Sequence, residues 1–158
     1  MLLVPVFLIF MSLDKNIWAF AVFVIASLSD FADGFIARKF NQISVFGKFM
    51  DPLADKVLVL SAMCVFIEKG YMPGWAVAIV LFREFSVSGL RLIAVEKGSV
   101  IAAGISGKIK TASTMIFLCL ILLFPIPVHC IAGTVAIVLT TVWSGLEYFI
   151  RNRAVFKV

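Results

Sequence analysis

Asp30-Phe31-Ala32-Asp33-Gly34-Phe35-Ile36-Ala37-Arg38, followed by Gly47-Lys48-Phe49-Met50-Asp51-Pro52-Leu53-Ala54-Asp55, places four carboxylates and two glycines in sequence otherwise apolar enough to cross a membrane. An ionised aspartate in lipid costs about 2.5 to 3.5 kcal/mol on insertion scales, so four of them require compensating partners. Asp30 and Asp33 are spaced i, i+3, and Asp51 and Asp55 are spaced i, i+4, so on helices each pair shares a face. A helical hairpin turning near residue 42 sets Asp33 and Asp51 at one level, roughly 14 Å from the turn, with Asp30 and Asp55 roughly 5 Å deeper. The pairs then converge into a four-carboxylate cluster, and such a cluster calls for cations. All-oxygen ligands suit hard ions such as Mg²⁺ or Mn²⁺ better than zinc.

The wider composition agrees with that setting. The chain has 158 residues, 63% of them hydrophobic, and a mean hydropathy of +1.12. That is an integral-membrane composition, and the length fits one domain, 1–158. Fourteen Lys and Arg against nine Asp and Glu give a net charge of +5. The basic residues stand at the ends of apolar segments, which reads as membrane topology with anionic headgroups nearby and not as a nucleic-acid surface. Cys64, Cys119 and Cys130 lie in apolar runs without metal or disulfide spacing, so they are expected in the core or facing lipid. No basic region precedes the apolar Met1–Phe10 stretch, so no cleavable signal peptide is expected.

Six apolar segments follow one another at 2–13, 16–40, 45–68, 73–96, 107–125 and 129–151. They predict an all-α polytopic bundle of about six transmembrane helices, the first of them short for a span. Trp18 and Trp75 stand where interfacial anchors belong. Arg38, Lys39 and Lys48 flank the second turn, Arg91, Lys97, Lys108 and Lys110 the fourth, and Arg151, Arg153 and Lys157 the tail. The opposite side carries only Lys15 and Lys69, partly offset by Asp14 and Glu68. The positive-inside rule therefore puts both termini in the cytoplasm, with the acidic cluster opening to the same side.

Two further groups of charge lie within apolar sequence. Arg83 and Glu84 are adjacent in mid-segment, so they are expected to point about 100° apart and to pair poorly with each other. Arg83 is a candidate phosphate ligand, since a guanidinium matches phosphate bidentately, or else a structural partner of one of the motif aspartates. Glu84 is expected to orient its helix through a hydrogen bond. Lys108 and Lys110 diverge by about 200° on a helix, so only one is expected to face the bundle. His129 is expected at the interface, and Glu147-Tyr148 as a polar packing contact.

The pattern Asp-x2-Asp-Gly-x2-Ala-Arg-x8-Gly-x3-Asp-x3-Asp resembles the signature of the CDP-alcohol phosphotransferases, membrane enzymes of phospholipid synthesis, and every specified position is filled here. The stretch from Arg83 through Thr111 resembles the branch whose acceptor is glycerol-3-phosphate. Close likeness covers about residues 20 to 115, the final helix only loosely. Family members carry an amphipathic stretch before the first span, which is expected to be missing here. The resemblance implies transfer of the phosphatidyl group of CDP-diacylglycerol to an acceptor alcohol with release of CMP. It implies two Mg²⁺ or Mn²⁺ ions on Asp30, Asp33, Asp51 and Asp55, with Asp55 also the base, and a nucleotide and diphosphate pocket shaped by Gly34, Ala37, Arg38 and Gly47. Arg83, Arg91, Lys108 and Lys110 would receive the acceptor's phosphate. A homodimer in the cytoplasmic membrane is also implied. The same chemistry on inositol phosphate, serine or phosphatidylglycerol is the nearest alternative. A divalent-cation transporter is more remote, having no need of Gly-x2-Ala-Arg or of the cytoplasmic cations.

Overall fold

The computed structural model describes the backbone of residues 3–39, 45–96 and 104–153, and the side chains of these outside 30–55 and 95–96. The described residues form six helices: α1 (Leu3–Ser12), α2 (Asn16–Lys39), α3 (Val45–Glu68), α4 (Gly74–Glu96), α5 (Ile105–Leu123) and α6 (Pro127–Arg151). Their bounds follow the apolar segments closely. The largest differences are of two residues: α5 runs from Ile105 to Leu123 where 107–125 is expected, and α6 begins at Pro127 and not at 129. A proline in the first helical turn gives up only an N–H that would have no helical partner there.

Two of the turns are built alike. After α1, Asp14 takes a left-handed conformation (φ 56°), the Lys15 N–H donates to the Phe10 carbonyl and the Asp14 N–H to that of Met11. After α3, Gly70 does the same (φ 71°), with Tyr71 N–H donating to Phe66 and Gly70 N–H to Ile67. Both are Schellman caps, which satisfy carbonyls left without a helical partner. The apolar contact that accompanies such a cap is present at the second, with the Phe66 and Tyr71 rings 5.8 Å apart. Lys69 forms an ion pair with Asp14, so the two capped turns are joined at one end of the bundle.

Polarity is graded along the bundle. Near the capped turns the core is apolar, with Phe7, Phe23, Met63, Phe66 and Leu118 essentially inaccessible. α2 and α5 pack together, α3 packs against α1, α2, α4 and α5, and α6 packs against α5 and α4. Toward the other end the buried side chains of α5 and α6 become polar: Ser106, Lys110, Thr114, Thr141 and Ser144. Thr114 and Thr134 satisfy their hydroxyls on carbonyls one turn back, at 2.9 and 2.7 Å.

The outer surface is the reverse. On α6, Val128, Ile131, Leu139, Leu146 and Ile150 are all at least 60% exposed, while Gly133, Thr134, Thr141, Ser144 and Gly145 face inward. Large apolar residues outside and small or polar ones between helices is the arrangement of helices packed in lipid. Among the described residues, α5 and α6 are long and apolar enough to cross a membrane. At ten residues, α1 extends only about 15 Å and is too short to span one alone. Trp18 and Trp75 are both exposed, as anchors require. His129 is exposed too, its Nδ1 3.1 Å from the Phe124 carbonyl. Cys64, Cys119 and Cys130 are free thiols, exposed, half-buried and buried in turn.

Candidate active site

The motif occupies two helices that pack against each other. Asp30, Asp33, Gly34, Ala37 and Arg38 fall in the C-terminal half of α2, and Gly47, Asp51 and Asp55 in the N-terminal half of α3. Their side chains lie outside the described residues, and so do the expected contacts of the metal cluster and the diphosphate pocket. Helical register nevertheless relates them to residues that are described. In α2 the buried stripe Ala19, Phe23, Ala26 continues at i+4 and i+3 spacing to positions 30 and 33. In α3 the buried stripe Phe66, Ala62, Leu58 continues backward to positions 55, 51 and 47. The motif positions thus continue the sequence spacing of the buried rows of the two helices. Among the described residues, no three His, Cys, Asp or Glu side chains come together.

Lys56 of α3, Arg83 of α4 and Lys110 of α5 are described in full, and they form one cluster. Glu84 is its centre. One carboxylate oxygen, Oε1, accepts from Lys110 Nζ at 2.7 Å and from Arg83 Nη1 at 2.9 Å. The other, Oε2, is 3.4 Å from Lys56 Nζ, which also donates to Ser88 Oγ at 2.6 Å. α3, α4 and α5 therefore meet at a single carboxylate. Lys56 directly follows Asp55, so this cluster adjoins the motif.

The expectation that Arg83 and Glu84 would pair poorly is wrong. Divergence of neighbouring Cα–Cβ bonds does not fix the ends of long side chains. Here the Arg83 stem is drawn across two glycines: a Cβ at Gly145 would lie 3.2 Å from Arg83 Cγ, and one at Gly107 3.6 Å from Nη2. With that clearance the guanidinium turns back toward Glu84. Its Nε is buried without a hydrogen-bond partner. Glu84 is likewise more than a helix-orienting acceptor, since it holds three cations. The alternative of Arg83 pairing with a motif aspartate concerns side chains outside those described.

The other expected acceptor residues divide. Lys110 is buried in the cluster and Lys108 is exposed, one inward and one outward as their spacing requires. Arg91 lies two turns beyond Arg83 on α4. Its Nε donates to the Tyr148 hydroxyl at 3.1 Å, and its guanidinium carbon lies 5.6 Å from that ring's centroid. This is the polar packing contact expected of Tyr148. The structure thus brings Arg83 and Lys110 together and leaves Arg91 and Lys108 outside their cluster. Lys56, Ser88, Gly107 and Gly145 are the participants that sequence reasoning missed. Lys56 is recognisable only as the residue after the motif's last aspartate, and Ser88 only by its i+4 spacing from Glu84.

An all-α bundle with an apolar exterior, carboxylate positions on two facing helices and buried cations beside them defines a membrane-associated enzyme of charged substrates. The chain belongs to the CDP-alcohol phosphatidyltransferase family, whose model matches residues 1–143. It is 42% identical over 142 positions to the CDP-diacylglycerol–glycerol-3-phosphate 3-phosphatidyltransferase of Bacillus subtilis, covering 86% of this chain and 74% of that protein. It is 36% identical over 164 positions to the enzyme of the same name in Escherichia coli K12, covering 97% and 90% of the two. A probable phosphatidylglycerophosphate synthase of Mycobacterium tuberculosis H37Rv is 34% identical over 160 positions, covering 96% and 76%.

Proposed function

We propose that this chain transfers the phosphatidyl group of CDP-diacylglycerol to glycerol-3-phosphate, releasing CMP and forming phosphatidylglycerophosphate. The observation that carries the acceptor is the cluster beside the motif. Three cations share one carboxylate, and the surplus positive charge suits an acceptor that bears a phosphate. Serine, a zwitterion without a phosphate, would need fewer such contacts. The names of the relatives point to the same acceptor.

In this reading Asp30, Asp33, Asp51 and Asp55 would hold two Mg²⁺ or Mn²⁺ ions, and the chemistry of the donor set fits, being four hard oxygen ligands. When bound, the ions neutralise the diphosphate and the charge developing on the leaving CMP. The chain's own residues do the rest. Gly34, Ala37 and Gly47 keep the helix faces low where the nucleotide lies, and Arg38 contributes charge to the diphosphate. Arg83 and Lys110 grip the acceptor's phosphate, with Arg91 and Lys108 supplying positive charge nearby. Asp55 takes the proton of the acceptor hydroxyl as its oxygen attacks the phosphorus bearing diacylglycerol. The bond from that phosphorus to the bridging oxygen breaks, and the electron pair leaves with CMP. All six helices belong to one domain in the cytoplasmic membrane, with both termini and the site on the cytoplasmic side. The working unit is a homodimer.

The test is product identification. Membranes containing the chain, given labelled CDP-diacylglycerol and a panel of acceptors, should form phosphatidylglycerophosphate with glycerol-3-phosphate and little product with serine or inositol phosphate. EDTA should abolish turnover and Mg²⁺ or Mn²⁺ restore it, while Asp30→Asn and Asp51→Asn should remain in the membrane inactive. Full activity in excess EDTA, or preference for another acceptor, would refute the assignment.

A further inference from the structure

We propose that Glu84 is a positioning residue, the internal anion that assembles Lys56, Arg83 and Lys110 from three helices into one cradle for the acceptor's phosphate. The inference rests on the acceptor reading above and assigns what sets that site's geometry.

The argument begins with the contacts of a single carboxylate. Both its oxygens are engaged, Oε1 by Lys110 and Arg83 and Oε2 by Lys56, all within 3.4 Å. An oxygen pair so occupied is poorly placed to accept a substrate proton, which separates Glu84 from the catalytic base. Its work is on its neighbours. Three cations held within a few ångströms of one point repel one another, and only a negative charge among them keeps them together. Among the described residues, Glu84 is the acidic side chain in ion-pair contact with these three cations.

Among the described residues, three positive charges around one negative leave two uncompensated, the charge of a phosphate monoester when doubly ionised. The cradle also has a donor to offer, since Arg83 Nε is buried without a partner. Buried N–H groups are nearly always hydrogen-bonded, so an orphan beside surplus positive charge marks a place for an anion's oxygen. Lys56 ties the cradle to the chemistry. It is the residue after Asp55, and its second bond, to Ser88 at 2.6 Å, pins it to α4 independently of Glu84. Holding α3 to α4 at this point sets the acceptor phosphate at a fixed reach from the base.

The experiment compares steady-state kinetics of the full chain and its variants in mixed micelles, varying each substrate in turn. Glu84→Gln keeps the shape and removes the charge. It should raise the apparent KM for glycerol-3-phosphate at least tenfold and leave that for CDP-diacylglycerol within twofold, and Glu84→Asp should recover part of the loss. Lys56→Gln, at a partly exposed side chain, should raise the same KM about threefold or more. It decides the matter if Glu84→Gln fails to accumulate in membranes. A Glu84→Gln enzyme with an unchanged or lowered glycerol-3-phosphate KM, or with equal loss for both substrates, would overturn the inference while leaving the acceptor assignment standing. A wild-type chain that makes no product from glycerol-3-phosphate would overturn both.

Discussion

Arg83 donates from Nη1 to Glu84, while Gly107 and Gly145 leave the room its side chain occupies. That it sits among apolar residues and needs a partner is legible, as is the opposed facing of Lys108 and Lys110, because helical angles are periodic and predictable. Its pairing with Glu84 was not legible, because that depends on two glycines from other helices, and nothing local to α4 reveals them. Lys56 was equally opaque: a lysine beside a motif reads as one more topology charge until Glu84 is seen opposite. If Arg83 grips the acceptor's phosphate, Arg83→Gln removes a charge-assisted contact of about 1.5 to 3 kcal/mol. The apparent glycerol-3-phosphate KM should then rise about ten- to hundredfold, with CDP-diacylglycerol little affected. An equal loss for both would make Arg83 structural. Gly145→Val tests the same residue from behind. Its side chain would press on the Arg83 stem, so the acceptor KM should rise while Lys110 and Glu84 remain intact, and an unaltered value would show the clearance to be dispensable.

The helices themselves were largely readable. Apolar runs bounded by charge and by Gly or Pro gave all six with ends displaced by at most two residues, since helix length in lipid is set by hydropathy and breakers stand at the turns. A proline beside a turn does not say which helix it serves, and Pro127 starts α6. Packing between helices was not readable. Gly133 of α6 lies so close to α5 that a Cβ there would come within 2.9 Å of Ile121 Cδ1, whereas Gly89 of α4 has nothing within 4 Å. Two glycines in similar sequence thus have opposite meanings. Gly133→Ala should lower the thermal stability of the purified protein, overpacking costing about 1–3 kcal/mol. Gly89→Ala should raise it, by about 0.5–1 kcal/mol, since alanine is the better helix former and has room. Differential scanning of both variants in one detergent checks the pair, and a reversed order would mean that the helices pack differently.

For the whole molecule, the all-α class was legible from the apolar segments and the family from one motif, because four carboxylates within apolar sequence are too costly to be incidental. Orientation rests on charge counting and has a direct test. In a cysteine-free background, Ser99→Cys should be shielded from an impermeant thiol reagent in intact cells and Lys69→Cys should react. The opposite pattern would invert the topology. The Lys69–Asp14 ion pair between two capped turns bears on how such a molecule moves. Placed like the rivet of a pair of tongs, it joins the α1–α2 and α3–α4 turns at the end remote from the motif. From Lys69 to Asp55 along α3 is roughly 21 Å at 1.5 Å per residue. Over that arm a swing of about 5° is nearly nothing at the rivet and about 2 Å at the jaws. A slight rocking of two stiff hairpins would therefore be spent almost wholly where a lipid headgroup must enter and leave.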